Sequence, residues 1–309
     1  MPSYYQITPE ALYQVASQVP LWHERELRHR AIVPVVEKPG FETFEERWYT
    51  VPRPGRPYES RTLTEVREMI AELAQSTNKV VFQSMDFFID WATLQVTRAA
   101  GQAIDQISFA ALTRQMALGE AAFCFRGSTT PSVNALFGSA GNESTAVGAG
   151  YLWGTAPGAS QVVKDMVNLL LDDGYNPPFD LVVSSNLAGY LNNFINANPV
   201  TPTRERHSIA GLLGQPETYF PYIFDMLPAS GEDVNRVYPL PTRTAQSGVA
   251  MVLVPDPGNY QLIVEQPFTQ IYGGFDITRK GYAATMFQAF TFRVWDANAI
   301  CKHTQVQIS

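Results

Sequence analysis

Gly119-Glu120-Ala121-Ala122-Phe123-Cys124-Phe125-Arg126-Gly127 closes the longest unbroken helical pattern in the chain. From Ala92 to Phe125 there is no proline, and Ile104, Ile107, Ala111 and Leu118 share one stripe, with Gln102, Asp105, Gln106 and Arg114 largely off it. That spacing predicts a helix burying one side. At ~1.5 Å per residue it would span about 45 to 50 Å, the width of a whole domain. Gly101 and Gly119 are its weak points. Gly127 to Gly158, rich in Gly, Ser, Thr, Asn and Ala, reads as the loop that ends the helix.

Upstream, Met1 to Pro39 is rich in Pro, Gln, Glu and Arg and holds one short helical stretch, Glu10 to Val19, so it reads as an arm. Phe41 to Glu72 mixes charges of both signs, among them Arg53, Arg56, Arg61 and Arg67, with Trp48, Tyr49 and Tyr58. Its Pro52-Arg53-Pro54-Gly55-Arg56-Pro57 tip cannot donate fully to a ladder and permits a turn. A long projecting hairpin is expected. So polar a hairpin has no core of its own and should lie on another surface.

Downstream, Ser160 is placed as the N-cap of a helix through Leu171, with Val162, Val163, Met166, Leu169 and Leu170 facing inward. Phe179 to Ser184 reads as a short apolar strand, Asn186 to Asn196 as a helix and Arg204 to Leu213 as a weaker one. Strands follow at Gly248 to Val254 and Tyr260 to Glu265 around Pro255-Asp256-Pro257-Gly258. Ala284 to Trp295 alternates as a half-buried strand and is the last regular element expected. The order is α+β.

The 309 residues exceed one ~150-residue domain. Charged residues make up 17%, below the usual ~25%, so much of the surface must be neutral or covered. With 22 Lys plus Arg against 29 Asp plus Glu the net charge is -7, poor for a protein that holds nucleic acid by neutralising phosphates. Cys124 and Cys301 form neither a disulfide framework nor a zinc spacing, which fits a reducing, cytoplasmic setting. Met1 to Gln14 lacks a signal-peptide pattern and nowhere do ~18 apolar residues run together, so neither secretion by a leader nor a membrane span is expected.

Each class of active site lacks a part. His23-Glu24-Arg25-Glu26-Leu27 has leucine where a zinc helix needs its second histidine, and His23 and His29 read as solvated arm residues. Arg279-Lys280-Gly281 reverses the order of a phosphate loop, and no serine sits in a G-x-S-x-G elbow. Cys124 lies in an apolar run that leaves a thiol inert. Asp172-Asp173 and Glu45-Glu46 are neighbours whose side chains point apart, and they read as solvated charges. No catalytic, cofactor-binding or metal-ligating residue is assigned, and no enzyme activity is expected.

The collinear order of arm, charged hairpin, long helix ending in Phe125-Arg126-Gly127, and final aromatic strand resembles the Hong Kong 97 shell fold of tailed-phage major capsid proteins and encapsulin compartments. Ala135-Leu136-Phe137-Gly138 stands in for the family's Gly-Leu turn, with Ala135 a departure from its glycine. Pro178 to Val183 is similar to the family's apical strand, and Gly258 to Val264, Phe290 to Val294 and Ala297 to Ile300 to its closing strands. The resemblance implies an N-terminal arm at 1–40, an extended hairpin (E-loop) at 41–78, a peripheral domain with the spine helix at 79–158, an apical domain at 159–255 and closing peripheral strands at 256–309.

It further implies a major capsid protein, the alternative being an encapsulin enclosing a cargo enzyme. Copies would tile pentamers and hexamers of an icosahedral shell, with the hairpin arginines Arg53, Arg56, Arg61 and Arg67 on a neighbour. Portal, scaffold and decoration proteins would be further partners, and double-stranded DNA would be enclosed without sequence-specific binding. No cofactor and no membrane are implied. The location would be the virion capsid, assembled in the host cytoplasm. Some members of the fold join a hairpin lysine to a neighbouring asparagine, but Pro39 through Asn78 contains no lysine. Denaturing electrophoresis of mature particles should therefore give one band at 34.3 kDa, and a ladder of covalent multimers would refute this.

Overall fold

The computed structural model describes residues 27–38, 45–50, 74–93, 104–129, 131–145, 149–196, 203–224 and 247–307. In chain order the main elements are β1 (Val35–Glu37), β2 (Glu45–Thr50), β3 (Ala74–Lys79), β4 (Val81–Asp90), α1 (Ile104–Arg126) and β5 (Asn142–Glu143). They continue with α2 (Gly158–Asp172), β6 (Asp180–Ser184), α3 (Glu205–Leu213), β7 (Tyr222–Phe224), β8 (Ser247–Leu253), β9 (Tyr260–Asp276), β10 (Gly281–Val294) and β11 (Ile300–Gln307). The arm helix at Glu10 to Val19 and the hairpin tip lie outside the described residues.

Two sheets organise the chain. The first has the order β1-β9-β10-β4, and the second β7-β6-β8-β11-β5. Val81, Phe123, Phe125, Leu136, Tyr260, Leu262, Phe290 and Phe292 share one core with Val182, Met251 and Leu253 from the second sheet. The other face of that sheet, with Leu181, Val183, Ala250, Val252 and Cys301, meets Val162, Val163, Met166 and Leu170 of α2 and Ile209 and Leu213 of α3. A strand covered on both faces reads as a continuous apolar run, which is why Leu181-Val182-Val183 does not alternate. β11 follows the strand expected to be the last regular element and pairs with β8 in this second sheet.

β9 and β10 form a ribbon much longer than the spacing predicts. β9 continues past Glu265 through Pro267 because the register shifts between Gln266 and Thr269, so the proline needs no ladder partner there. α1 packs Met116 and Leu112 against Met85 and Phe87 of β4 and Ala284 and Met286 of β10, and Gln288 Nε2 donates to the Met116 carbonyl at 3.0 Å.

Two local expectations need correction. Ser160 does not cap α2, which begins at Gly158. Instead its backbone N–H and its Oγ donate to the buried Glu205 Oε2 at 3.0 and 2.5 Å, so the cap arrives from α3. Asn186 to Asn196 is not one helix: a turn of α-helix at Ser185–Ala188 passes into a 3-10 turn at Gly189–Asn192 and a short strand at Phe194–Asn196. Leu187 and Leu191 are fully buried, whereas Phe194 pairs in extended conformation with Arg204, whose guanidinium lies 4.9 Å over its ring.

Candidate functional site

Two buried charge clusters join the N-terminal segment, the hairpin base and α1. Arg28–Ala31 forms a 3-10 turn that lays His29 and Arg30 against α1. His29 Nε2 lies 2.9 Å from Glu120 Oε1, and Arg30 donates from Nε at 2.8 Å to Oε1 and from Nη2 at 3.1 Å to Oε2. Burial alone would raise the Glu120 carboxyl, but hydrogen bonds and charge from His29 and Arg30 outweigh it and hold the group at about 2. His29 is fully buried, which corrects its reading as a solvated arm residue; His23 lies outside the described residues. Desolvation pushes the Cys124 thiol upward and Cys301 to about 12, as inert core thiols.

The second cluster sits at the hairpin base. β2 and β3 pair antiparallel from Glu45 opposite Lys79 to Thr50 opposite Ala74. Alternation sends Glu45 outward and Glu46 inward. Lys38 Nζ donates to Glu46 Oε1 at 2.7 Å, Arg293 of β10 pairs with the same carboxylate, and Glu265 of β9 lies 3.9 Å from Lys38 Nζ. Glu46 is therefore not the solvated charge its neighbour Glu45 is. Around it, Trp48 Nε1 donates to the Val294 carbonyl at 3.0 Å, Asn78 Nδ2 to Phe292 at 2.6 Å, and Thr291 Oγ1 to Lys79 at 3.0 Å.

Arg53, Arg56, Arg61 and Arg67 lie outside the described residues. Arg279 is not part of a phosphate loop: it sits in the turn between β9 and β10, 4.2 Å over the Phe88 ring. Asp172 is exposed and Asp173 accepts from Asn142 Nδ2 at 2.7 Å. Among the described residues no three His, Cys, Asp or Glu side chains could jointly hold a metal ion, and no helix is long and apolar enough to cross a membrane. The sequence reading missed Lys38, Glu120, Glu265 and Arg293; the last three share one faint signal, a single charge beside an apolar run, whereas Lys38 follows Glu37 at the end of one.

No protein-family model matches the sequence, and no curated protein matches it. Solved structures match at the level of fold. The capsid of Myoviridae phage XM1 aligns with TM-score 0.63 and 12% identity over 90% of this chain and 91% of that one. A chain of Mycobacterium phage Ogopogo aligns with TM-score 0.60 and 18% identity over 89% and 90%. A virus-like particle from Pyrococcus furiosus aligns with TM-score 0.57 and 10% identity over 94% and 98%. At such identities what is shared is the architecture: this mixed helix-and-sheet chain has the Hong Kong 97-type shell fold.

Proposed function

We propose that this chain is the major capsid protein of a tailed double-stranded DNA phage, a structural subunit with no catalytic role, whose copies close an icosahedral head as pentamers and hexamers. The observation that carries this reading is the extent of the likeness to the phage XM1 capsid, about nine-tenths of both chains. In this reading residues 41–78 are the extended hairpin loop rising from β2 and β3, and α1 is the spine helix. Residues 1–40 are the arm, 79–158 and 256–309 the peripheral domain and 159–255 the apical domain. The virion capsid is assembled in the host cytoplasm with portal, scaffold and decoration proteins, and DNA is enclosed without sequence readout. The near-complete overlap with the Pyrococcus particle supports the second reading, an encapsulin shell around a cargo enzyme.

Expressed alone, the chain should form closed icosahedral particles visible in negative stain. Light scattering that shows only monomers or small oligomers across protein concentration and salt would overturn the proposal. Nuclease-resistant DNA in native particles supports the phage reading, and a single co-purifying enzyme the compartment.

The hairpin arginines give a sharper test. If they lie on the subunit's own surface, Arg53→Ala with Arg56→Ala changes stability by ~1 kcal/mol or less and particles form normally. If they pair with a neighbour, the small loss repeats at every contact of the shell. The expected result is an unchanged subunit melting temperature with a collapse in particle yield.

A further inference from the structure

β2 and β3 form a two-stranded sheet of their own, and among the described residues neither pairs by backbone with the four-stranded sheet beneath. Apart from the run of the chain from β3 through the buried Val80 into β4, the hairpin base is held by side chains: the bonds of Trp48, Asn78 and Thr291, and the Glu46 carboxylate between Lys38 and Arg293. These contacts differ in kind. Apolar contact tolerates sliding, and neutral hydrogen bonds to carbonyls can be re-formed with a neighbouring carbonyl. A buried carboxylate is satisfied only where its cations are, because unpaired it bears the full desolvation penalty of a bare charge. Its cations come from two directions: Lys38 just beyond β1, and Arg293 near the end of β10, stacked 5.7 Å over Trp295. Glu265 of β9, itself buried, lies 3.9 Å from Lys38 Nζ and is a second carboxylate on that cation.

We infer that Glu46 is a positioning residue that sets the angle at which the hairpin leaves the body of the subunit. The segment 27–38 takes part as a strap. It is tied to α1 at His29 and Arg30, laid along β9 by β1, and tied to the hairpin at Lys38. In the shell of the function proposed above, on which this consequence rests, a fixed exit angle gives every hairpin the same reach and the shell one diameter.

The hairpin angle can be read before assembly. Spin labels are placed on Gln75→Cys and Thr278→Cys, both exposed, while the native Cys124 and Cys301 are buried and stay unlabelled. The unassembled subunit with Glu46 intact should give one narrow distance distribution, and Glu46→Gln should broaden it and shift its mean. Particles from Glu46→Gln should be fewer and of mixed diameter. An unchanged distance distribution, or particles of one wild-type diameter from a subunit whose distances have broadened, overturns the inference. Should Glu46→Gln fail to fold, Lys38→Met decides: this side chain is 39% exposed and dispensable for the core, and its loss should broaden the distribution to a lesser degree, an unchanged one again overturning the inference. If the wild-type chain forms no particles at all, the function proposed above fails, while the distance measurement still stands or falls alone.

Discussion

Glu120→Ala should lower the unfolding free energy of the subunit by about 3–5 kcal/mol, the usual cost of removing one partner from a buried ion pair. Glu120 is 1% exposed and accepts from Arg30 through both oxygens, with His29, itself fully buried, on one of them. Its loss leaves the fully buried His29 and the partly buried Arg30 without the carboxylate they share. Arg30→Ala should cost less, because the Arg30 side chain is 24% exposed and the carboxylate keeps His29. Urea unfolding of unassembled subunits measures both.

The same carboxylate sets an acid limit. Its value falls from an ordinary 4.5 to about 2 in the folded chain. A depressed carboxylate stabilises the fold fully above the unfolded value, and the contribution is lost as pH falls from about 4.5 through about 2. That shift corresponds to about 3 kcal/mol. The wild-type melting temperature should therefore drop more steeply between pH 4.5 and pH 2.5 than that of Glu120→Gln. Parallel curves for the two proteins would remove Glu120 from the acid response.

Much of the frame is legible in the sequence where it depends on local pattern, but not the buried face of α1: Ala111 and Leu118, read as part of its inward stripe, are exposed, and Thr113, Met116, Ala117 and Ala121 are buried instead. α1 ends where Arg126-Gly127 says it should, and the apolar run at Phe179 to Ser184 becomes a strand buried on both faces. What was illegible depends on partners far along the chain. His29 and Glu46 sit in polar surroundings that look solvated, and only the fold brings Glu120 to one and Arg293 to the other. β9 hides its length behind Pro267, which reads as a breaker until the register shift excuses it from the ladder. The Glu10 to Val19 helix and the hairpin arginines remain expectations, lying outside the described residues.

Gly127→Ala should be as damaging as the loss of Glu120, about 4 kcal/mol, which places it in the exceptional tail of single substitutions. Gly127 follows α1 with φ at 78°, and its N–H closes the helix on the Phe123 carbonyl at 2.7 Å. An alanine in that left-handed conformation costs about 1 kcal/mol by itself. The larger part is steric: a Cβ here would stand 2.0 Å from the Val133 carbonyl oxygen and 3.1 Å from the Ala135 nitrogen. Both are backbone atoms of the segment that seats Val133, Ala135 and Leu136 in the core, so no side-chain rotation relieves the clash. Gly174, just past α2, supplies the control, since it has φ at 85° with nothing within 4 Å of its would-be Cβ. Gly174→Ala should therefore show the conformational part alone, about 1 kcal/mol. The difference between the two alanine variants in subunit unfolding measures how tightly the end of α1 is pressed against the chain that follows it. Equal losses at the two sites would mean that this contact yields, and that Gly127 is required only for its backbone angle.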